Sequence, residues 1–291
     1  MSIRLLFQSF FAGLALIVLA GCATLPSHEE RIATADSIAQ AAGLRRTIFR
    51  TPTFALTGYQ RLTESGGPVQ VYIEGDGYAW VTSHRLSSDP TPRDPIALRL
   101  AAEDPAPNVI YLGRPCQYTD PEMDPLCEDD RFWSEARFSE EVIAALDQAL
   151  DQIQERIKTR DIRLIGYSGG GAVAVLVAQR RHDIQSLRTV AGNLDPGRLN
   201  RLHGASPLSG SLDPLKEAAL LRMLPQRHFA GDEDSVVPVT IAEGFIQKMG
   251  ASSCVAMTVV QGMGHQEGWK GKWRELLDLP VECSPSLANE E

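Results

Sequence analysis

What most narrows the folds open to this chain is a regular alternation, from Val109 to Leu279, of short apolar runs with amphipathic segments. A β-like run at Val109 to Leu112 is followed by Phe138, Val142, Leu146, Leu150, Ile153 and Ile157, which fall on one face of a helix. Strand-like Ile162 to Tyr167, a helix from Gly170 to about Arg180 and a strand at Leu187 to Ala191 come next. Then follow a strand near His228 to Ala230, a helix near Ile241 to Met249, a strand at Val255 to Val260 and a terminal helix near Trp273 to Leu279. Strand and helix in turn predict an α/β fold whose mostly parallel sheet is covered by helices on both faces. Upstream, Thr47 to Arg50, Phe54 to Leu62 and Val69 to Glu74 read as strands, the last two joined by a Ser65-Gly66-Gly67-Pro68 turn, and are expected as antiparallel edge strands. Residues Asn193 to Pro225, rich in Gly, Pro and Ser, break the rhythm. They are expected as a small cap over the C-terminal edge of the sheet, where such sheets place their sites, with a surface loop as the other reading.

The 291 residues exceed what one α/β domain needs, and the excess lies at the N-terminus. Arg4 gives a small positive start and an apolar run from Leu5 to Leu19 follows, so residues 1–21 read as an export signal. That run is shorter than the ~20 residues a bilayer-spanning helix requires. Leu19-Ala20-Gly21-Cys22 resembles the lipobox of bacterial lipoproteins, which implies cleavage before Cys22 and lipid attachment to it. Ala23 stands where an aspartate favours inner-membrane retention in Gram-negative lipoproteins, so the resemblance implies an outer-membrane anchor facing the periplasm. Residues 22–45 are expected as the lipidated tether and a short helix carrying Ile32, Ala35, Ile38 and Ala42, and residues 46–291 as the main domain.

With 43% hydrophobic and 22% charged residues the chain can bury a large core, and its formal net charge of -9 argues against nucleic acid or anionic lipid as a partner. Of the five cysteines, four remain once Cys22 is set aside, an even number suited to an oxidising compartment. Pairing of chain neighbours, Cys116 with Cys127 and Cys254 with Cys283, is the expectation among three connectivities. These cysteines form no C-x-x-C pair and have no neighbouring histidine, so no metal site is expected. No P-loop or dinucleotide fingerprint is present, and no cofactor is implied.

Gly166-Tyr167-Ser168-Gly169-Gly170 matches G-x-S-x-G, a nucleophile elbow in which glycines permit a sharp strand-to-helix turn that exposes the serine. Its setting strengthens a short motif: Arg163-Leu164-Ile165 precedes it as a buried strand, and Ala172 to Ala178 follows as a helix of small residues. A serine hydroxyl needs a neutral imidazole to take its proton and an acid to orient that imidazole. Both follow at strand ends, in Gly231-Asp232-Glu233-Asp234-Ser235-Val236-Val237-Pro238 and in Gly262-Met263-Gly264-His265. The order serine, acid, histidine is that of the α/β-hydrolases, which the chain resembles from about Thr47 to Leu279.

That resemblance implies Ser168 as nucleophile, Asp234 as the orienting acid, with Asp232 and Glu233 as the alternatives, and His265 as base. It implies an oxyanion hole from the Gly169 amide and a second amide in the loop Glu74-Gly75-Asp76-Gly77-Tyr78, with Asp76 favoured and Gly77 next. Glu74-Gly75 stands where family members usually have His-Gly. Arg114 and Gln117, after the Val109 to Leu112 strand, are candidate substrate contacts or members of a structural loop. Phe132-Trp133 and Arg137-Phe138 read as anchors of the long helix, while Asp195 and His203 form an alternative acid–base pair with no elbow-like serine beside them. The expected activity is acyl transfer from a small ester, thioester or amide to water, a compact soluble substrate being favoured by the polar cap. A peptide or cell-wall amide is a further candidate, and a non-catalytic envelope lipoprotein that uses the fold as a binding scaffold is the competing reading.

Overall fold

The computed structural model describes residues 25–82, 84–120 and 123–284. The export segment and Cys22 lie outside the described residues. The chain enters through α1 (His28–Ala41), β1 (Arg45–Arg50), β2 (Ala55–Leu62) and β3 (Val69–Ile73), followed by a two-stranded hairpin, β4 (Trp80–Thr82) and β5 (Arg85–Leu86). Helix α2 (Ile96–Glu103), β6 (Asn108–Leu112), α3 (Glu140–Ile157), β7 (Ile162–Tyr167), α4 (Gly169–Ala178) and β8 (Ile184–Val190) follow. Helix α5 (Pro196–Leu202), β9 (Gln226–Gly231), α6 (Val239–Met249), β10 (Val255–Val260) and α7 (Trp269–Leu277) complete the order.

Eight strands form one sheet in the order β1-β2-β6-β3-β7-β8-β9-β10. Strands β1, β2 and β6 pair antiparallel, and every pairing from β6 through β3 to β10 is parallel. Period-two alternation sends the strand side chains into two cores. Val71, Ile73, Ile110 and Leu112 face α3, α4 and α6. Tyr72, Tyr111 and Val109 face α1, α2 and α7, where Tyr72 and Phe229 pack edge-on against buried Trp273. Both faces of the sheet are thus covered.

Helix termini follow local chemistry. Ser27 caps α1 in a reciprocal capping box with Glu30, and Ser139 caps α3 through Val142 N–H ahead of Glu140 and Glu141, whose charges favour the positive helix end. All ten residues of α4 are buried, and its run of Gly, Ala and Val lets the helix axis lie close to the strands.

Three features depart from the sequence-based expectation. Strand β3 is not an antiparallel edge strand: β6 inserts between β2 and β3, leaving β3 parallel to both neighbours at the centre of the sheet. Its run Val69-Gln70-Val71-Tyr72-Ile73 is buried or nearly so throughout, as a strand covered on both faces demands. Helix α2 and the β4–β5 hairpin were not anticipated, because Pro95 opens a helix of only eight residues and the hairpin is shorter still. The segment 193–225 starts at the C-terminal edge of the sheet, where Asn193 N–H bonds Ser168 O and His203 meets Val236 O, and then continues along α3 and α4. Leu212 N–H bonds Phe138 O at 2.9 Å, Gln179 Nε2 bonds Pro214 O at 2.8 Å, and Gly210 packs on Ala136.

The four described cysteines form Cys116–Cys127 and Cys254–Cys283 disulfides, the neighbour pairing. The first closes the loop after β6, and the second fastens the segment beyond α7 to the start of β10.

Candidate active site

Strand β7 ends at Tyr167 and α4 begins at Gly169, so Ser168 alone makes the turn, with φ of 50° and ψ of -121°. A positive φ at a side-chain-bearing residue is held only by its surroundings. Here the Ser168 amide donates to Val190 O at 3.0 Å, and the Ser168 carbonyl accepts from the Gly171 and Asn193 amides, each at 2.9 Å. Two glycines are required by close approach: a Cβ on Gly166 would overlap the Gly170 carbonyl, and one on Gly170 the Ile73 and Glu74 carbonyls.

His265 lies on the loop after β10. Its carbonyl accepts from Tyr167 Oη at 3.1 Å and from Trp269 Nε1 at 3.2 Å, while Trp269 Nε1 also reaches Gly264 O at 2.9 Å. The loop is tied to the end of β9 by Gly262 N–H donating to Asp232 Oδ1 at 2.7 Å and by Glu233 N–H donating to Met263 O at 3.1 Å. Its imidazole bridges the other two residues, with Nε2 3.0 Å from Ser168 Oγ and Nδ1 2.8 Å from Asp234 Oδ2. The Asp234 side chain is fully buried, and its other oxygen accepts the Val236 and Val237 amides at 2.8 and 2.7 Å. With the Nδ1 proton donated to that fixed carboxylate, Nε2 is left to accept the serine hydroxyl. Of the three acidic residues in the β9 loop, Asp234 alone meets the imidazole, while Asp232 staples the histidine loop.

Opposite the elbow, the chain leaving β3 passes so close that a Cβ on Gly75 would lie 3.1 to 3.2 Å from Tyr167 and Ser168. Glu74 Oε1 accepts the Gly75 amide at 2.9 Å and the Ala97 amide of α2 at 3.3 Å. Gln117 Nε2 donates to Gly75 O at 3.0 Å while its Oε1 accepts the Arg114 amide, and Tyr78 N–H bonds Pro90 O at 2.9 Å. The Gly75 and Tyr78 amides are engaged in this way, whereas Asp76 and Gly77, the latter at φ of 67°, lie between them facing the cleft. The Asp76 carboxylate lies against Gly169 and pairs with Arg137 at 3.0 Å and Arg114 at 3.3 Å.

Arg114 and Gln117 are buried, so they hold the loop and do not face substrate. Burial lowers the Arg114 guanidinium to about 10, an effect opposed by Asp76, and leaves it charged at neutral pH. Glu74, also buried, is pushed up by desolvation to about 7, against the lowering influence of the amides it accepts. Asp195 and His203 do not form a pair: Asp195 caps α5 through Arg198 N–H, and His203 Nε2 meets Val236 O at 2.7 Å. Trp133 donates to Ser87 O at 3.0 Å and Phe132 packs edge-on against Phe54, anchoring the loop before α3.

The serine opens into a cleft of about 670 Å³ lined by Pro26, Glu74, Asp76, Tyr78, Arg93 and His265 among others. Among the described residues none from 193–225 lines it. The positioning roles of Glu74, Arg114 and Gln117 escape a reading by motif. An acidic residue ending the apolar strand Val69–Ile73 is the signal that singles out Glu74.

No protein-family model and no curated protein matches the sequence. In three dimensions the chain is similar to an α/β hydrolase from a Penicillium species, with TM-score 0.57, 15% identity and 80% of this chain and 95% of that chain covered. It is similar to an esterase of Pyrococcus furiosus, with TM-score 0.54, 15% identity and coverage of 80% and 89%. It is also similar to an acylaminoacyl peptidase of Pyrococcus horikoshii, with TM-score 0.56, 14% identity and coverage of 80% of this chain and 39% of that one. At such identities the likeness is one of fold, and by it and by its eight-stranded sheet flanked by helices the chain has the α/β-hydrolase fold.

Proposed function

We propose that the chain is a serine hydrolase that transfers the acyl group of an ester, thioester or amide to water. The observation that carries this reading is the unbroken hydrogen-bonded series from Ser168 Oγ through the His265 imidazole to the buried Asp234 carboxylate. In it, His265 Nε2 takes the hydroxyl proton as Ser168 Oγ attacks the carbonyl carbon, and Asp234 stabilises the imidazolium that forms. The carbonyl oxygen becomes an oxyanion, held by the Gly169 amide at the positive end of α4 and by the Asp76 amide, with Gly77 next to it. Collapse expels the alcohol, thiol or amine, which leaves with the proton from His265. Water then enters, gives a proton to His265 and hydrolyses the acyl-enzyme, restoring Ser168. The steps call for no cofactor.

The test is labelling with a fluorophosphonate probe. Purified protein should be labelled and Ser168→Ala should not; equal labelling of the two, or none of the wild type, removes the hydrolase reading. The lipobox-like Leu19-Ala20-Gly21-Cys22 supports a second part of the proposal, that the mature chain begins at a lipidated Cys22 and is held at the outer membrane facing the periplasm. Cys22→Ser should release the protein from the membrane fraction and lower its mass by the lipid; unchanged fractionation and mass would refute the anchor.

A further inference from the structure

The start of the described chain is part of the catalytic cleft. Pro26 lines the same cavity as Ser168 and His265, and the residues after it are clamped to the loop at Asp89 to Thr91. Ser27 N–H donates to Glu30 Oε2 at 2.7 Å, fixing the first turn of α1. Arg31, nearly buried, pairs with the Asp89 carboxylate at 2.7 Å and donates to Thr91 O at 2.7 Å, and His28 Nδ1 meets Asp89 at 2.9 Å. The loop they hold continues into Pro92, Arg93 and Asp94, which line the cleft. The entry point of the chain therefore cannot swing away from the mouth without breaking a partly buried ionic cluster.

Pro26 stands four positions after Cys22, a stretch that spans at most about 14 Å when fully extended. A lipid on Cys22 holds that residue at the bilayer interface, so the mouth of the cleft is kept within about that distance of the headgroups. The rim suits such a setting: Leu25, next to Pro26 in the chain, and Val236 on the cleft wall are 51% and 46% exposed. Because the chain is acidic overall, attraction to anionic headgroups is not what brings the rim to the surface; the tether and the apolar rim do so.

We propose that the cleft faces the membrane that carries the anchor, and that Ser168 acts on an amphiphilic ester presented by that lipid surface. This rests on the hydrolase and lipid-anchor readings above, and it replaces the compact soluble substrate that the sequence favoured. The short tether supplies a high effective concentration of leaflet-borne substrate at the mouth, which a freely diffusing enzyme lacks.

The test uses the full, natively lipidated chain in phosphatidylcholine vesicles containing a fluorogenic long-chain ester, with p-nitrophenyl butyrate in water as the soluble substrate. A proline-rich spacer of roughly 16 residues inserted between Thr24 and Leu25 keeps the anchor but moves the mouth outward by about 50 Å. Hydrolysis of the vesicle-borne ester should fall at least tenfold in the spacer variant, while turnover of the soluble ester stays the same in both. Equal rates on the vesicle-borne ester overturn the proposal, as does a native chain that cleaves only the soluble one. Failure to cleave either ester, together with absent fluorophosphonate labelling, is instead the failure of the hydrolase reading, and an unmodified mass at Cys22 that of the anchor; either takes the proposal with it.

Discussion

Glu74 carries a buried carboxyl group that accepts the Gly75 and Ala97 amides, and burial raises it from 4.5 to about 7. Below its unfolded value both the folded and the unfolded chain hold the proton and the group costs nothing. Between 4.5 and about 7 the unfolded chain has lost the proton while the folded chain still keeps it, so stability falls across that window and levels off once the folded chain releases it as well. Glu74→Gln keeps an acceptor for the Gly75 and Ala97 amides without the charge. We expect it to gain about 3 kcal/mol on the wild type between pH 4.5 and 8, read from urea unfolding at the two pH values. At Asp234 the expectation is kinetic: Asp234→Asn should lower kcat by about 10³ to 10⁴-fold with KM little changed in steady-state assays, because the imidazole loses its orienting acceptor. Ser168, Asp234 and His265 are legible in sequence because each sits in a turn motif with local rules. What Glu74, Arg114 and Gln117 hold was less legible, since part of it comes from segments distant in the chain: Glu74 reaches the Ala97 amide, Arg114 the Asp76 carboxylate, and Gln117 the Gly75 carbonyl from 42 residues away.

At the scale of elements, the elbow and the loop facing it are each held by a different device. The elbow depends on missing side chains. Gly170→Ala should cost at least about 2 kcal/mol in chemical unfolding, since backbone carbonyls of β3 and of Glu74 would have to move. The facing loop depends on a covalent staple, Cys116–Cys127, that fixes the chain carrying Arg114 and Gln117. Replacing both cysteines with serine should cost about 3 kcal/mol by the loop-closure estimate, and fluorophosphonate labelling should be lost at lower urea concentration than helical circular dichroism. Strand β7 was readable as an element because its apolar Leu164-Ile165 runs directly into the glycines of the elbow. The order of the strands in the sheet was not: nothing within Val69–Ile73 says that Asn108–Leu112 will slide between it and Ala55–Leu62. The composition of segment 193–225 likewise marks irregular structure without saying which surface each part of it covers.

For the whole molecule, the parallel strands share a polarity that gathers the Ser168, Asp234 and His265 turns at one edge of the sheet, while the Cys254–Cys283 staple lies at the other, where β10 begins. Both disulfides close loops in the unfolded chain, and we expect dithiothreitol to lower the thermal midpoint by at least about 10 °C in a calorimetric scan. The clamp of Arg31 and His28 on Asp89 gives the molecule a front and a back for anyone who builds on it. A bulky folded fusion joined directly ahead of Leu25, unlike a slender unfolded spacer, would stand in the doorway of the cleft and act as a plug. A partner joined beyond Ser284, whose amide is bonded to Ser253 O at 2.8 Å, would leave from the rear and keep the entrance clear.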